Sequence, residues 1–240
     1  MTERLVTTTL DEPSEVHEMH GGEQIARWKC LVRRNNMFGP WEAVECSFLP
    51  PGAASGVHLH SRTEQFDYVV SGRGVMTIDG VEHQVGAGDL ITTCLGTRHG
   101  IRNDGAEDLI WLVIEVSGPG MAAGVPERAD ATVRSEVIDL RGTGSFDPEG
   151  FLAGPLRRAR LARLEPAQTE SVSAAQGEEH VLFTLSGTGT AVAGSTTVPL
   201  RYGVSLGLPL LGAVSIEGGP EGLEFFVVSL AASDPAGGAA

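Results

Sequence analysis

GAASGVHLHSRTEQFDYVVSG, residues 52–72, and GDLITTCLGTRHGIRN, residues 88–103, decide how this chain is read. The first spaces its marked residues as Gly52-x5-His58-x-His60-x4-Gln65-x6-Gly72, the second as Gly88-x5-Cys94-x-Gly96-x2-His99-x3-Asn103. A strand sends alternate side chains to one face. His58 and His60 therefore look the same way, as do Gln65, Asp67 and Val69, and again His99, Ile101 and Asn103. Antiparallel strands closed into a small barrel aim such faces at a common interior. A single buried histidine is usually a satisfied core residue. Three of them beside an amide oxygen form a mixed nitrogen and oxygen shell suited to one divalent transition metal: Fe, Zn, Ni, Mn or Co.

The glycines fix the strand pattern around these residues. Gly72, Gly74, Gly80, Gly86, Gly88 and Gly96 punctuate short runs rich in Val, Ile and Thr. Asp79-Gly80, between VMTI and VEHQV, predicts a two-residue hairpin, because both residues accept the primed turn geometry. No glycine-rich element opens a helix or carries a P-loop lysine, which sets aside a phosphate-cradling loop.

With those residues in place, the two stretches resemble the paired cupin signatures, G-x5-H-x-H-x3,4-E-x6-G and G-x5-P-x-G-x2-H-x3-N. Gln65 stands where the family carries Glu, and Cys94 where it carries Pro. The resemblance implies a jelly-roll-like β-barrel with His58, His60, Gln65 and His99 as metal ligands. Glu64 fits the shorter form of the motif but leaves seven residues before Gly72 instead of six. The Gln65 register also puts Phe66 and Tyr68 on the outer face as a packing surface. Gln65 is the expected ligand and Glu64 the alternative.

Self-comparison extends the pattern. An offset of 115 residues lays VVSGRGV over TLSGTGT, pairing Gly72 with Gly187 and Gly88 with Gly203. The chain then reads as two tandem cupin modules: 1–128 with the metal motif and an N-terminal arm, 129–232 as a degenerate copy, and 233–240 as a frayed tail. In the second copy His58 falls on Ser173, His60 on Ala175, Gln65 on His180, and His99 on Ala213 or Val214. One histidine cannot hold a metal tightly, so His180 is expected to be structural or solvated. Arg157, Arg158, Arg160 and Arg163 form a basic run, expected to face solvent or pair with carboxylates.

Composition bounds the function. A net charge of −14 and a pI near 4.8 argue against nucleic acid and anionic membrane as partners. The acidic N-terminus shows no signal-peptide or transmembrane pattern. Cys30, Cys46 and Cys94, odd in number and widely spaced, suit reduced thiols in a cytoplasmic setting. Cys94 is read as a turn filler, and His17 and His20 as exposed residues of the arm, the alternative being that they cap the pocket.

Three histidines and a glutamine are neutral ligands, so a bound dication keeps its full charge. Lewis-acid chemistry on a small polar metabolite (isomerisation, cyclisation or elimination) is the expected activity. A non-haem Fe(II) dioxygenase and a non-catalytic binding cupin are the alternatives, since the fold hosts all of these; under any of them a small-molecule ligand is the expected partner and the second module offers a surface for a homodimer. Asp67, two positions beyond Gln65, should point into the same interior. An aspartate there is costly unless paired or functional, which makes it the candidate general acid or base.

Overall fold

The computed structural model describes residues 5–121, 133–174 and 177–232. It is an all-β pair of jelly-roll-like barrels. The first half contributes β1 (Val6–Thr8), β2 (Ser14–His17), β3 (Ile25–Arg33), β4 (Trp41–Leu49), β5 (Ala54–Leu59) and β6 (Thr63–Ser71). It continues through β7 (Arg73–Ile78), β8 (Val81–Gly86), β9 (Asp89–Thr93), β10 (Arg98–Arg102) and β11 (Leu109–Ser117). The second half contributes β12 (Glu136–Asp139), β13 (Ser145–Phe146), β14 (Leu156–Leu164) and β15 (Thr169–Ser173). Its remaining strands are β16 (Glu178–Ala193), β17 (Thr196–Arg201), β18 (Ser205–Leu208) and β19 (Ala213–Ala231).

The first barrel is a four-stranded sheet, β5-β10-β7-β8, and a seven-stranded one, β12-β9-β6-β11-β4-β3-β2. The β7–β8 hairpin turns at Asp79 and Gly80, with φ of 47° and 83°, as the primed turn requires. In the second barrel, β16 and β19 run through register shifts and join all its strands into one continuous sheet.

Two strands cross the expected module boundary, whose position at 128/129 lies outside the described residues. β12 pairs with β9 of the first barrel, Val137 opposite Ile91. β1 reciprocates, pairing with β18 of the second barrel, Thr7 opposite Leu206. Each barrel thus completes its sheet with the leading strand of the other.

The largest apolar core lies between the barrels. Phe66 and Tyr68, fully buried on the outer face of β6, join Leu112 and Ile114 of β11 against Phe183, Phe226 and Val228. Tyr68 stacks on Phe226 with ring centroids 4.8 Å apart. Separate cores fill each barrel.

A pair of buried carboxylates pins this interface with the same repeat symmetry. Glu64 accepts the N–H groups of Ala153 (3.0 Å) and Gly154 (2.7 Å) from the second half. Glu179, its counterpart at the repeat offset, accepts those of Phe38 (3.0 Å) and Gly39 (2.7 Å) from the first. Phe38 and Gly39 are themselves the repeat counterparts of Ala153 and Gly154. Both glycines allow close approach: a Cβ would lie 2.4 Å from Leu230 Cδ2 and 2.9 Å from Glu179 Oε2 at Gly39, and 2.5 Å from Glu64 Oε2 at Gly154. No helix among the described residues is long and apolar enough to cross a membrane.

Candidate metal centre

Antiparallel pairing brings the two motif stretches together. β10 lies beside β5 with His99 directly opposite His58. His60 follows at the end of β5, its backbone N–H bonded to Thr97 O and its carbonyl to Gly96 N. The candidate ligand atoms of His58, His60 and His99 all lie within 4.8 Å of one another, and they form the one such trio of metal-type side chains among the described residues. His60 and His99 are nearly inaccessible, each 3% exposed, while His58 reaches toward the opening.

Every Nδ1 in the trio has an oxygen partner, which turns Nε2 toward the shared centre. His58 Nδ1–H donates to Gly56 O (3.0 Å). His60 Nδ1 meets Thr63 Oγ1 (3.1 Å), which donates onward to Glu115 Oε1 (2.7 Å). His99 Nδ1 meets Thr93 Oγ1 (3.1 Å) and lies 3.7 Å from Asp67 Oδ2. Such outer partners fix the tautomer of a metal-binding histidine. The Nε2 atoms of His60 and His99 are 2.9 Å apart. Two nitrogens bonded at right angles to one cation at about 2.1 Å would sit about 3 Å apart, so the donor set fits a shared metal. Burial, with like-charge repulsion from His58 next, pushes His60 down to about 4. Burial, then His60 and His58, pushes His99 well below its ordinary value. Both rings are neutral at physiological pH, the form that binds metal.

Gln65 and Asp67 line the same cavity as His58 and His99. The Gln65 amide donates through Nε2 to Asp67 Oδ1 at 2.7 Å, which leaves Oε1 as its free donor atom. Glu64, on the opposite face of β6, binds the second half and does not enter the cavity. Asp67 is 1% exposed, and its Oδ2 has no hydrogen-bond partner. Burial raises its carboxyl to about 7 despite the Gln65 bond, with Glu115 adding to the rise and Trp111 opposing it.

The cavity holds about 440 Å³ and includes residues that strand reading alone did not single out. Glu45 and Ser47 on β4, and Trp111, Val113 and Glu115 on β11, share the inward face with Gln65 and Asp67. The registers place Glu115 opposite Gln65, and Val113 between Asp67 and Glu45. Alternation on 41–49 and 109–117 was the available signal. His20 is exposed, as expected, and it also lines the mouth, where it bonds Ser55 Oγ through Nδ1 (3.1 Å) and packs 3.9 Å from the His58 ring centre. His17 stays exposed.

The remaining motif residues hold the frame. Asn103 Nδ2 donates to Leu49 O and Glu107 O, and its Oδ1 accepts from Gly105 N. Cys94 is buried in the turn, with Sγ 3.2 Å from Thr97 Oγ1. In the second barrel His180 spans Ser229 Oγ (2.9 Å) and Ser173 O (3.1 Å), and Ala175 lies outside the described residues. Of the basic run, Arg160 pairs with Glu170 (2.5 Å), Arg163 lies 4.0 Å from Glu165, and Arg157 donates to Gly154 O.

Comparison with known proteins agrees with this geometry. Residues 47–115 match the family model of the cupin domain. The oxalate-binding protein of Thermotoga maritima is 29% identical over 102 residues, which is 42% of this chain and 84% of that protein. Among solved structures, protein Ylba from E. coli superposes with a TM-score of 0.76 at 15% identity, covering 97% of this chain and 93% of that one. Bacterial pirin YhhW from Escherichia coli, in complex with nickel(II), gives 0.69 at 17% identity, covering 96% and 100%. A cupin-domain match over the histidine-bearing strands, set on a fold shared along nearly the whole chain, supports the cupin superfamily for this protein.

Proposed function

We propose that the protein is a cytoplasmic, divalent-metal-dependent enzyme that transforms a small polar metabolite by isomerisation, cyclisation or elimination. His58, His60, His99 and the Gln65 carbonyl would hold the metal; the second barrel serves as packing partner. Bound by neutral ligands, the ion would supply a Lewis acid that polarises a substrate oxygen or acidifies a water. The observation that carries the reading is Asp67, a buried carboxyl beside the histidines with Oδ2 unpartnered. A carboxyl poised near 7 is suited both to take a proton and to return it, as these reactions require. Through Oδ1 the same group orients the Gln65 amide, so one residue sets the ligand and moves the proton.

Elemental analysis of protein purified without added metal tests the first half of this reading. About one transition metal per chain is expected. Two per chain would assign a second site to the other barrel, and none at saturating metal would sink the proposal.

The nitrogen-rich trio also suits Fe(II), which favours a dioxygenase as the second reading. Oxygen uptake separates the two. Lewis-acid turnover should proceed without consuming O2 and should survive in the Zn-loaded protein. Stoichiometric uptake with Fe(II) alone would move the assignment to the oxygenase. The Thermotoga relative is described as binding oxalate; metal-independent binding without turnover would make this chain a binding module.

A further inference from the structure

Resting on the assignment above of this cavity as the substrate site, we propose that it selects a ligand carrying a cationic group, an ammonium or amidinium, attached to a compact apolar body.

The lining combines acidic and aromatic side chains with an apolar wall of Val16, Met19, Met76, Ile101 and Val113. Glu45, Asp67 and Glu115 contribute three carboxyls, Trp28 and Trp111 two indoles, and among the described residues no lysine or arginine lines the space. Two of the carboxyls already serve the histidines: Asp67 beside His99, and Glu115 through Thr63 to His60. Glu45 has a different position. Its Oε2 accepts the Trp28 indole N–H at 2.6 Å, and no ion pair engages it among the described residues. Arg34, whose field reaches Glu115, is committed to Glu42 in an ion pair. Carboxyls facing a cavity whose basic groups are neutral imidazoles, with no fixed cation beside them, are costly to hold.

A second, independent feature points the same way. Asp67 Oδ2 is buried on the cavity wall with no donor within hydrogen-bond distance, His99 Nδ1 standing off at 3.7 Å. Like-charge crowding is also visible at Glu45: burial raises its carboxyl, the Trp28 bond draws it back, and Glu115 raises it again. A cation seated among these groups relieves the crowding. A dicarboxylate would meet the opposite field everywhere except at the metal.

Calorimetry with three probes of one shape tests the inference: benzylammonium, benzyl alcohol and benzoate, on metal-loaded and metal-stripped protein. Benzylammonium should bind about tenfold or more tighter than benzyl alcohol in both forms, the scale of a charge-assisted hydrogen bond. Benzoate should be the weakest in the stripped form. Glu45→Gln, and more fully Glu45→Gln with Glu115→Gln, should erase the preference for the cation. Equal affinity for the cation and the alcohol, a preference that survives both substitutions, or no benzylammonium binding at about 10 mM would overturn the inference. The wild-type order decides the matter even if the double variant fails to fold. Metal content of the same samples keeps the readings apart: absent metal defeats the enzyme assignment, whereas metal with a reversed charge order defeats the cation site alone.

Discussion

His99→Ala is expected to lose metal and activity together, whereas Asp67→Asn is expected to keep the metal and lose about two to four orders of magnitude in turnover. The difference follows from where each side chain ends. His99 contributes one of three clustered nitrogens and is nearly inaccessible, so alanine leaves a gap that water fills as a weaker ligand. Asp67 contributes no atom to that trio. Asparagine keeps an oxygen that can accept the Gln65 Nε2–H, so the amide carbonyl retains its direction. What asparagine cannot do is take up a proton. Metal stoichiometry and single-turnover rate, measured on both variants, check the pair. Near-normal turnover in Asp67→Asn would make the residue structural. Lost metal in that variant would show that the orientation of Gln65 depends on the charge of its partner.

The barrel and its histidines were legible because spacing carries the information. Alternation in a strand fixes which side chains share a face, and Gly72, Gly88 and Gly96 mark where strands must turn. The same parity separated Gln65 from Glu64, and the structure places one in the cavity and the other in the inter-barrel interface. The destination of Glu64 was hidden because its partners are backbone N–H groups roughly ninety residues away, which have no side-chain signature. Even so, the repeat contained a clue: the offset that aligns Gly72 with Gly187 also aligns Glu64 with Glu179 and Gly39 with Gly154. The exchange of β1 and β12 was not legible, since both are short and pair far from their sequence neighbours. His20 is exposed, as expected of the arm, and its place at the cavity mouth also fits the alternative reading of a pocket cap. Its position depends on a run of left-handed residues (Glu18, His20 and Gln24 have φ of 48°, 52° and 65°) that bends the arm back over β5.

Glu179→Ala is expected to destabilise the protein by about 3–5 kcal/mol, because the carboxylate is a buried hub for the other barrel. It accepts N–H groups from Phe38, Gly39 and Leu210, and the Trp41 indole N–H at 2.9 Å, with no exposure to solvent. Alanine would leave these donors without an acceptor, each at about 1–3 kcal/mol where water cannot reach it. In a chain of this size the loss should lower the melting temperature by about 10 °C or more. Glu179→Gln should fall between, since one oxygen remains but the new amide N–H faces existing donors. Gly39→Ala should reproduce much of the loss by a different route, through the collision of its Cβ with Leu230 Cδ2 and Glu179 Oε2. Thermal melts of the metal-stripped variants check the series without interference from the metal site. A Glu179→Ala protein that melts within about 1 °C of the parent, well below the shift that 1 kcal/mol produces, would mean that the apolar contact of Tyr68 with Phe226 holds the barrels together without the clamp.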